Sequence, residues 1–248
     1  MTERNVNAIA KLETEARKIV LQIREHRLSV LSTLDPSLHE ADMRSTALQR
    51  LSAVVLTYVL GLTVIQKHLL HFDWWDQNWG TGLTNDQKMT NASAFYNSIS
   101  YSAFLSAFSI LEALVRQTLL AFDSRACNES TVGYWKVRTY LFQHHIALDH
   151  SDYSSLFQLI SELRNCIHNQ GVYRHAVNKK LIIEHNQTRY TFLNLVPPNF
   201  LQPENLLVLL SEMGAVMFDI LSDPNVVALD RIEDPSEKLG SHNTAEPI

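Results

Sequence analysis

The chain has 248 residues, of which 46% are hydrophobic and 19% charged, so it can bury a sizeable core and lies within the size of one large domain. Its net charge of −5 excludes a uniformly basic nucleic-acid binder and leaves a local basic patch as the way to hold a nucleic acid by charge. Only 7 Gly and 7 Pro punctuate it, which favours long helices over many short strands. The two cysteines, Cys127 and Cys166, lie far apart and match no zinc spacing. The opening residues, Met1 to Asn5, hold no apolar run, so the reading is a cytoplasmic chain with reduced thiols.

Residues 3–33 place Val6, Ile9, Leu12, Ala16, Ile19, Val20, Ile23, Leu28 and Leu31 at helical steps. Asp35-Pro36-Ser37 breaks the pattern, with Ser37 as N-cap and Glu40 three residues on, so a second long helix is expected over 37–71. Its most apolar part, Leu51 to Ile65, is 15 residues. That is below the roughly 17–25 that span a bilayer, and it predicts a buried core helix rather than a membrane segment. Phe72 to Gly80 carries three of the four tryptophans and reads as an aromatic loop packed over the end of the helices; a stacking or partner-binding loop is the other reading.

Residues 90–122 are helical by spacing. Small residues Ser102, Ala103, Ser106, Ala107 and Ser109 would let another helix approach closely. Shorter helices follow at 131–146 and 151–169, the second capped by Asp149 or Ser151 and stopped by Gly171. The period then changes: β-branched and aromatic residues over 179–185 and 188–193 flank Asn186-Gln187 and predict a β-hairpin. Pro203 opens a last helix over 203–222. From Asp223 the chain is polar and broken by Pro224, Pro235 and Pro247, and disorder is expected over 233–248. The prediction is an all-α fold: one helical domain over 1–232 with a small β-hairpin inserted before the last helix.

The densest run of functional side chains is Glu162 to Gly171. Arg164 and His168 are four apart and share a helix face, as do Asn165 and Asn169. A fixed cation beside a proton-exchanging imidazole suits a phosphodiester: the arginine holds phosphate oxygens while the histidine moves the proton. In RNA the 2′-hydroxyl is itself a nucleophile, so this chemistry calls for neither metal nor cofactor. The plainer reading pairs Arg164 with Glu112 or Glu162 and leaves His168 at the helix end, where the dipole favours a cation. Lys179, Lys180, Arg174, His175 and Arg189 surround the hairpin and form either the local basic patch or a solvated face. Cys166 reads as core rather than nucleophile. His144, His145 and His150 lack convergent partners, so no metal site is expected.

Arg164-Asn165 followed by His168, behind the aromatic and small-residue run Ser102 to Leu114 with its Leu111-Glu112-Ala113 step, resembles the HEPN superfamily (higher eukaryotes and prokaryotes nucleotide-binding domains). The resemblance covers about 90–222; residues 1–71 are read from periodicity as an N-terminal helical pair. It implies a HEPN-like helical bundle and a metal-independent endoribonuclease of toxin or defence systems, with RNA or a nucleotide as ligand, a homodimeric state and a protein antitoxin as possible partner. Arg164 would bind the scissile phosphate, His168 would act as general acid or base, and Asn165 would orient them. Asn169, Lys179, Lys180 and Arg189 would assist binding, and Glu112 would anchor Arg164. Active members usually place four to six residues between Arg and His. Here there are three, Asn165, Cys166 and Ile167, a spacing that still keeps both groups on one face.

Overall fold

A computed structural model describes residues 3–80, 82–126, 133–175, 180–198 and 201–235. The elements in chain order are α1 (Glu3–Leu31), a 3-10 turn (Pro36–Leu38), α2 (Met43–Val64) running into a π-turn (Ile65–Leu69), α3 (Phe72–Trp79), α4 (Asn85–Phe122), α5 (Tyr134–His144), α6 (His150–His168), β1 (Lys180–His185), β2 (Thr188–Leu193), α7 (Pro203–Ser222) and α8 (Pro224–Val227). The chain is mostly helical with one two-stranded antiparallel hairpin, as periodicity predicts.

The chain forms two compact units. The first comprises Met1–Gln22, Ser52–Phe108 and Ser155–Glu212; the second comprises Ile23–Leu51, Ser109–Ser154 and Met213–Ile248. In the first unit, Gly61 sits where any Cβ would meet Ile99 Cδ1 at 2.6 Å, so α2 and α4 approach as closely as a glycine allows. The hairpin pairs Lys180 with Leu193 and His185 with Thr188, and Asn186 and Gln187 take positive φ at its turn, the geometry of a two-residue loop. Ile183 and Phe192 bury its inner face.

Three expectations are corrected. The tryptophan segment is a helix rather than a loop. Trp75 is buried and its Nε1 donates to Leu69 O at 2.9 Å, across the end of the π-turn. Lys88, 3% exposed, holds the segment from α4: Nζ donates to Asp76 Oδ1 at 2.6 Å and lies over the Phe72 ring. The second helix starts at Met43 rather than near Ser37. Asp42 caps it, accepting from Arg44 N at 2.8 Å, while Ser37 N is bound by Asp35. The apolar stretch is also longer than its 15 central residues suggest, since helix and π-turn together cover Met43–Leu69. This segment, α4 and α7 are each long and apolar enough to cross a membrane by length and composition, with 44%, 44% and 56% of their most apolar windows buried.

The second unit is organised around a buried ion pair. Arg44 is 1% exposed and Asp42 0%. Arg44 Nε and Nη2 donate to the two carboxylate oxygens at 2.9 and 2.7 Å. Its remaining N–H groups donate to the carbonyls of Val226, Val227, Leu229 and Asp230, so the guanidinium terminates α8 where the helix leaves carbonyls without intrahelical partners. Asp42 Oδ2 also accepts from Ile232 N at 3.1 Å, and Met43 N donates to Ile232 O at 2.9 Å. At the other end of α8, Asp223 accepts from Asn225 N and Ala147 N. Asp234, 2% exposed, is held by Arg50 and Thr46. The chain from Asp223 to Pro235 is thereby held, including the first three residues, 233–235, of the stretch expected to be disordered; the rest of that stretch, 236–248, lies outside the described residues.

Two predictions follow from this unit. Removing one side of a buried ion pair strands the other charge, so Arg44→Met should cost about 3–5 kcal/mol in urea unfolding, well beyond the effect of Arg17→Met in an exposed helical pair. His26 stacks on Phe218 at 4.1 Å between ring centroids, with Nδ1 buried and unpartnered. Burial pushes its pKa below the ordinary value, against the smaller opposing pull of Asp219 and Glu25. The unfolded chain then takes up the proton first, so stability should fall as the pH drops below about 6.5. Thermal melts should show a weaker pH dependence there for His26→Phe than for the wild type.

Candidate functional site

The site lies at the C-terminal end of α6, within the first unit. Leu159, Ile160, Leu163 and Cys166 are buried, so they fix the inner face of the helix and turn its other face outward. Arg164 is half-buried, Asn165 and His168 are exposed, and Asn169 is half-buried. Helical periodicity stacks Arg164 and His168 one turn apart. Arg164 Nη1 donates to Asn165 Oδ1 at 3.3 Å, and its guanidinium carbon lies 5.9 Å from the centroid of the Phe108 ring on α4, a cation–π arrangement. Among the described residues no carboxylate pairs with Arg164, and His168 makes no hydrogen bond or ion pair.

The helix ends as its glycine predicts. Gln170 and Gly171 have φ of 60° and 81°, and Gly171 N donates to Cys166 O at 2.8 Å, closing the turn with left-handed backbone. The chain beyond is tied to the exit of the hairpin: Leu195 N donates to Tyr173 O at 2.7 Å and His175 N to Asn194 Oδ1 at 3.0 Å. Two residues before Arg164 in the chain, burial pushes the Glu162 carboxyl up, while His175 and a hydrogen bond from Asn165 pull it partly back. Burial, and then the Glu162 charge, push the Cys166 thiol up to about 12. It is fully buried and stays a protonated core residue, since the thiolate is the nucleophile.

The other residues singled out from sequence are placed as follows. Glu112 accepts from Arg116 at 2.9 Å within the second unit, so its carboxylate serves a helical i, i+4 pair; the arginine of the motif rests on Phe108 instead. Lys180 and Arg189 are both exposed, at opposite ends of the hairpin, and Arg189 lies directly across from Glu184. That carboxylate offsets part of the patch. Lys179 lies outside the described residues. Among the described residues no group of three or more His, Cys, Asp and Glu gathers as metal ligands.

Sequence reasoning missed a second polar constellation. His185, 8% exposed, sits between Ser155 on α6 and Glu212 on α7: Oγ of Ser155 is 2.9 Å from Nδ1 and Oε2 of Glu212 is 3.0 Å from Nε2. Asn186 Nδ2 donates to the other oxygen of Glu212 at 2.6 Å. If Nε2–H donates to the carboxylate, Nδ1 accepts from the serine hydroxyl, and every polar group in the row is satisfied. The row fastens the turn of the hairpin to two helices. Its only sequence signal is a histidine and an asparagine side by side at a turn; the partners are 30 and 27 residues away. His185→Ala should cost about 1–3 kcal/mol, because Glu212 and Ser155 lose a common buried partner. Hydrogen exchange should then quicken over Lys180–Leu193 and stay unchanged in α2.

No family model, curated protein or solved structure matches the chain.

Proposed function

We propose that the chain is a metal-independent endoribonuclease acting through Arg164 and His168, with Asn165 orienting them. One observation carries this reading: an arginine with no carboxylate partner and an imidazole with no hydrogen-bond partner among the described residues stand one turn apart on the same helix face, both within reach of solvent. By contrast Arg44 pairs with Asp42, Arg116 with Glu112 and His185 with Glu212. The resemblance to the HEPN superfamily supplies the substrate class and the toxin or defence setting, with a paired copy and a protein antitoxin as partners.

The chemistry needs no group beyond the substrate and these side chains. The 2′-hydroxyl of RNA attacks the adjacent phosphorus, the bond to the 5′-oxygen breaks, and a 2′,3′-cyclic phosphate and a 5′-hydroxyl form. His168 takes the proton from the attacking hydroxyl or gives one to the leaving oxygen, and solvent water accepts or supplies the other. Arg164 places its charge on the phosphoryl oxygens where negative charge builds up. The Phe108 ring under the guanidinium limits its swing and leaves its outer edge for the phosphate.

The same contact favours a second reading. An arginine stacked on an aromatic ring is well held for a binding role, in which RNA or a nucleotide is bound and not cut. Cleavage of RNA by the purified protein in EDTA separates the two. The nuclease reading expects cyclic-phosphate ends and a rate about 10²–10⁴-fold lower in Arg164→Ala and in His168→Ala. RNA binding that weakens in Arg164→Ala, with no cleavage by folded wild type, would assign the binding role instead.

A further inference from the structure

A hollow of about 210 Å³ lies within the first unit, where α1, the π-turn after α2, α4 and the start of α7 meet. Ile9, Ile65, Leu70 and Ala92 are buried and form its floor, while Ser93 and Glu204 are exposed and form its rim. One wall is Tyr96. The Tyr96 hydroxyl has the hydroxyl of Tyr58 and the carboxylate of Glu204 as polar neighbours. Both phenol oxygens are cut off from water, and neither closes a hydrogen bond. Burial pushes both phenols above their ordinary pKa, and the Glu204 charge adds to the shift, so each keeps its proton. A buried hydroxyl without a partner is costly and rare. Here two of them stand beside an apolar hollow, next to a carboxylate that forms no ion pair among the described residues.

We propose that this hollow binds a small organic amine, with its apolar body on the floor and its protonated amino head at the rim between Glu204 and Tyr96. Size sets the body. An apolar cavity of roughly 150 Å³ takes a benzene ring, and drug-sized ligands need about 300 Å³ or more. A volume of 210 Å³ therefore admits one ring or a short branched chain and is too small for a nucleotide. Charge sets the head. Among the described residues the lining has one charged side chain, Glu204, so an anion would enter beside a carboxylate with no cation to hold it. An ammonium brings three donors and no acceptor. The Glu204 carboxylate and the Tyr96 oxygen accept two of them, and both acceptors stand close enough for one head to reach. Glu204 also borders a groove that holds Lys11 and Lys18. Neither lysine pairs with it, and Lys18 is engaged by Glu15.

Arg164 and His168 do not line this hollow, so the amine site and the ribonuclease reading can each fail alone. The test titrates the full chain with 2-phenylethylamine, followed by NMR through the methyl signals of Ile9, Ile65 and Met89, which line the hollow. Phenylacetate and 2-phenylethanol present the same ring behind an anionic and a neutral head. The amine should shift these signals with a dissociation constant of about 1 mM or below, and phenylacetate should bind about tenfold more weakly or worse. Glu204→Gln should weaken the amine about tenfold or more and leave 2-phenylethanol within about twofold, because the charged partner alone is lost. Ser93→Trp, a change at an exposed rim position, should block both ligands. Circular dichroism checks the fold of each variant. Methyl signals that the amine leaves in place at about 10 mM, phenylacetate binding as well as the amine, or an amine affinity unchanged in folded Glu204→Gln would overturn the proposal.

Discussion

A guanidinium with no access to water has to find a partner for each N–H group or forfeit more energy than the fold can supply. In the second unit that constraint falls on Arg44, and its solution dictates the surrounding chain. The Asp42 carboxylate takes two of the donors and, with its remaining capacity, the start of α2 and the amide of Ile232. The other donors go to carbonyls in the last turn of α8 and just after it. A run of polar, proline-broken sequence, which on composition alone cannot order itself, thus becomes a fixed strap. The exactness of the match matters more than its net energy, since an ion pair in an apolar setting is a weak source of stability and a strong source of uniqueness only when no donor or acceptor is left over.

The two constellations on α6 show opposite uses of polar groups. At its N-terminal half, Ser155 belongs to a row in which hydroxyl, imidazole, carboxylate and amide satisfy one another. Such a row holds a hairpin in place. At the C-terminal end, Arg164 and His168 keep their capacity for an external group, and Asn165 is the arginine's polar neighbour. The buried side of the same turn is chemically quiet, its thiol held protonated by burial. One helix therefore supplies a closed network that orders structure and an open pair that the proposed ribonuclease would use, separated by turns whose inner face buries Leu156, Phe157, Leu159, Ile160 and Leu163.

Much of the helical framework was legible because helices announce themselves locally, through apolar residues at steps of three and four and through stops such as Gly171. The hairpin was legible because its period changed to two around Asn186-Gln187. The helical phase of Arg164 and His168 was legible for the same reason, being a matter of four residues on one helix. Distant partners were not legible. Phe72–Trp79 resembled a loop because aromatics crowd it without a repeating pattern, and its helix is held from outside by Lys88, by Trp75 bonding back to Leu69, and by contacts among its own rings. The strap after Asp223 depends on Arg44, some 182 residues earlier. The row at His185 joins three elements. In each case the information sits in a pair of positions that no local window contains.

The π-turn at Ile65–Leu69 carries one more consequence. A wider turn resets the angular phase of a helix, so the residues that follow point in directions that the preceding α-helical count does not set. Upstream of it, α2 leaves Leu56, Leu60 and Val64 exposed; at its end, Leu69 and Leu70 turn inward and Trp75 closes over them. The wide turn thus lets one continuous stretch of chain leave Leu60 and Val64 exposed on α2 and then turn Leu69 and Leu70 inward.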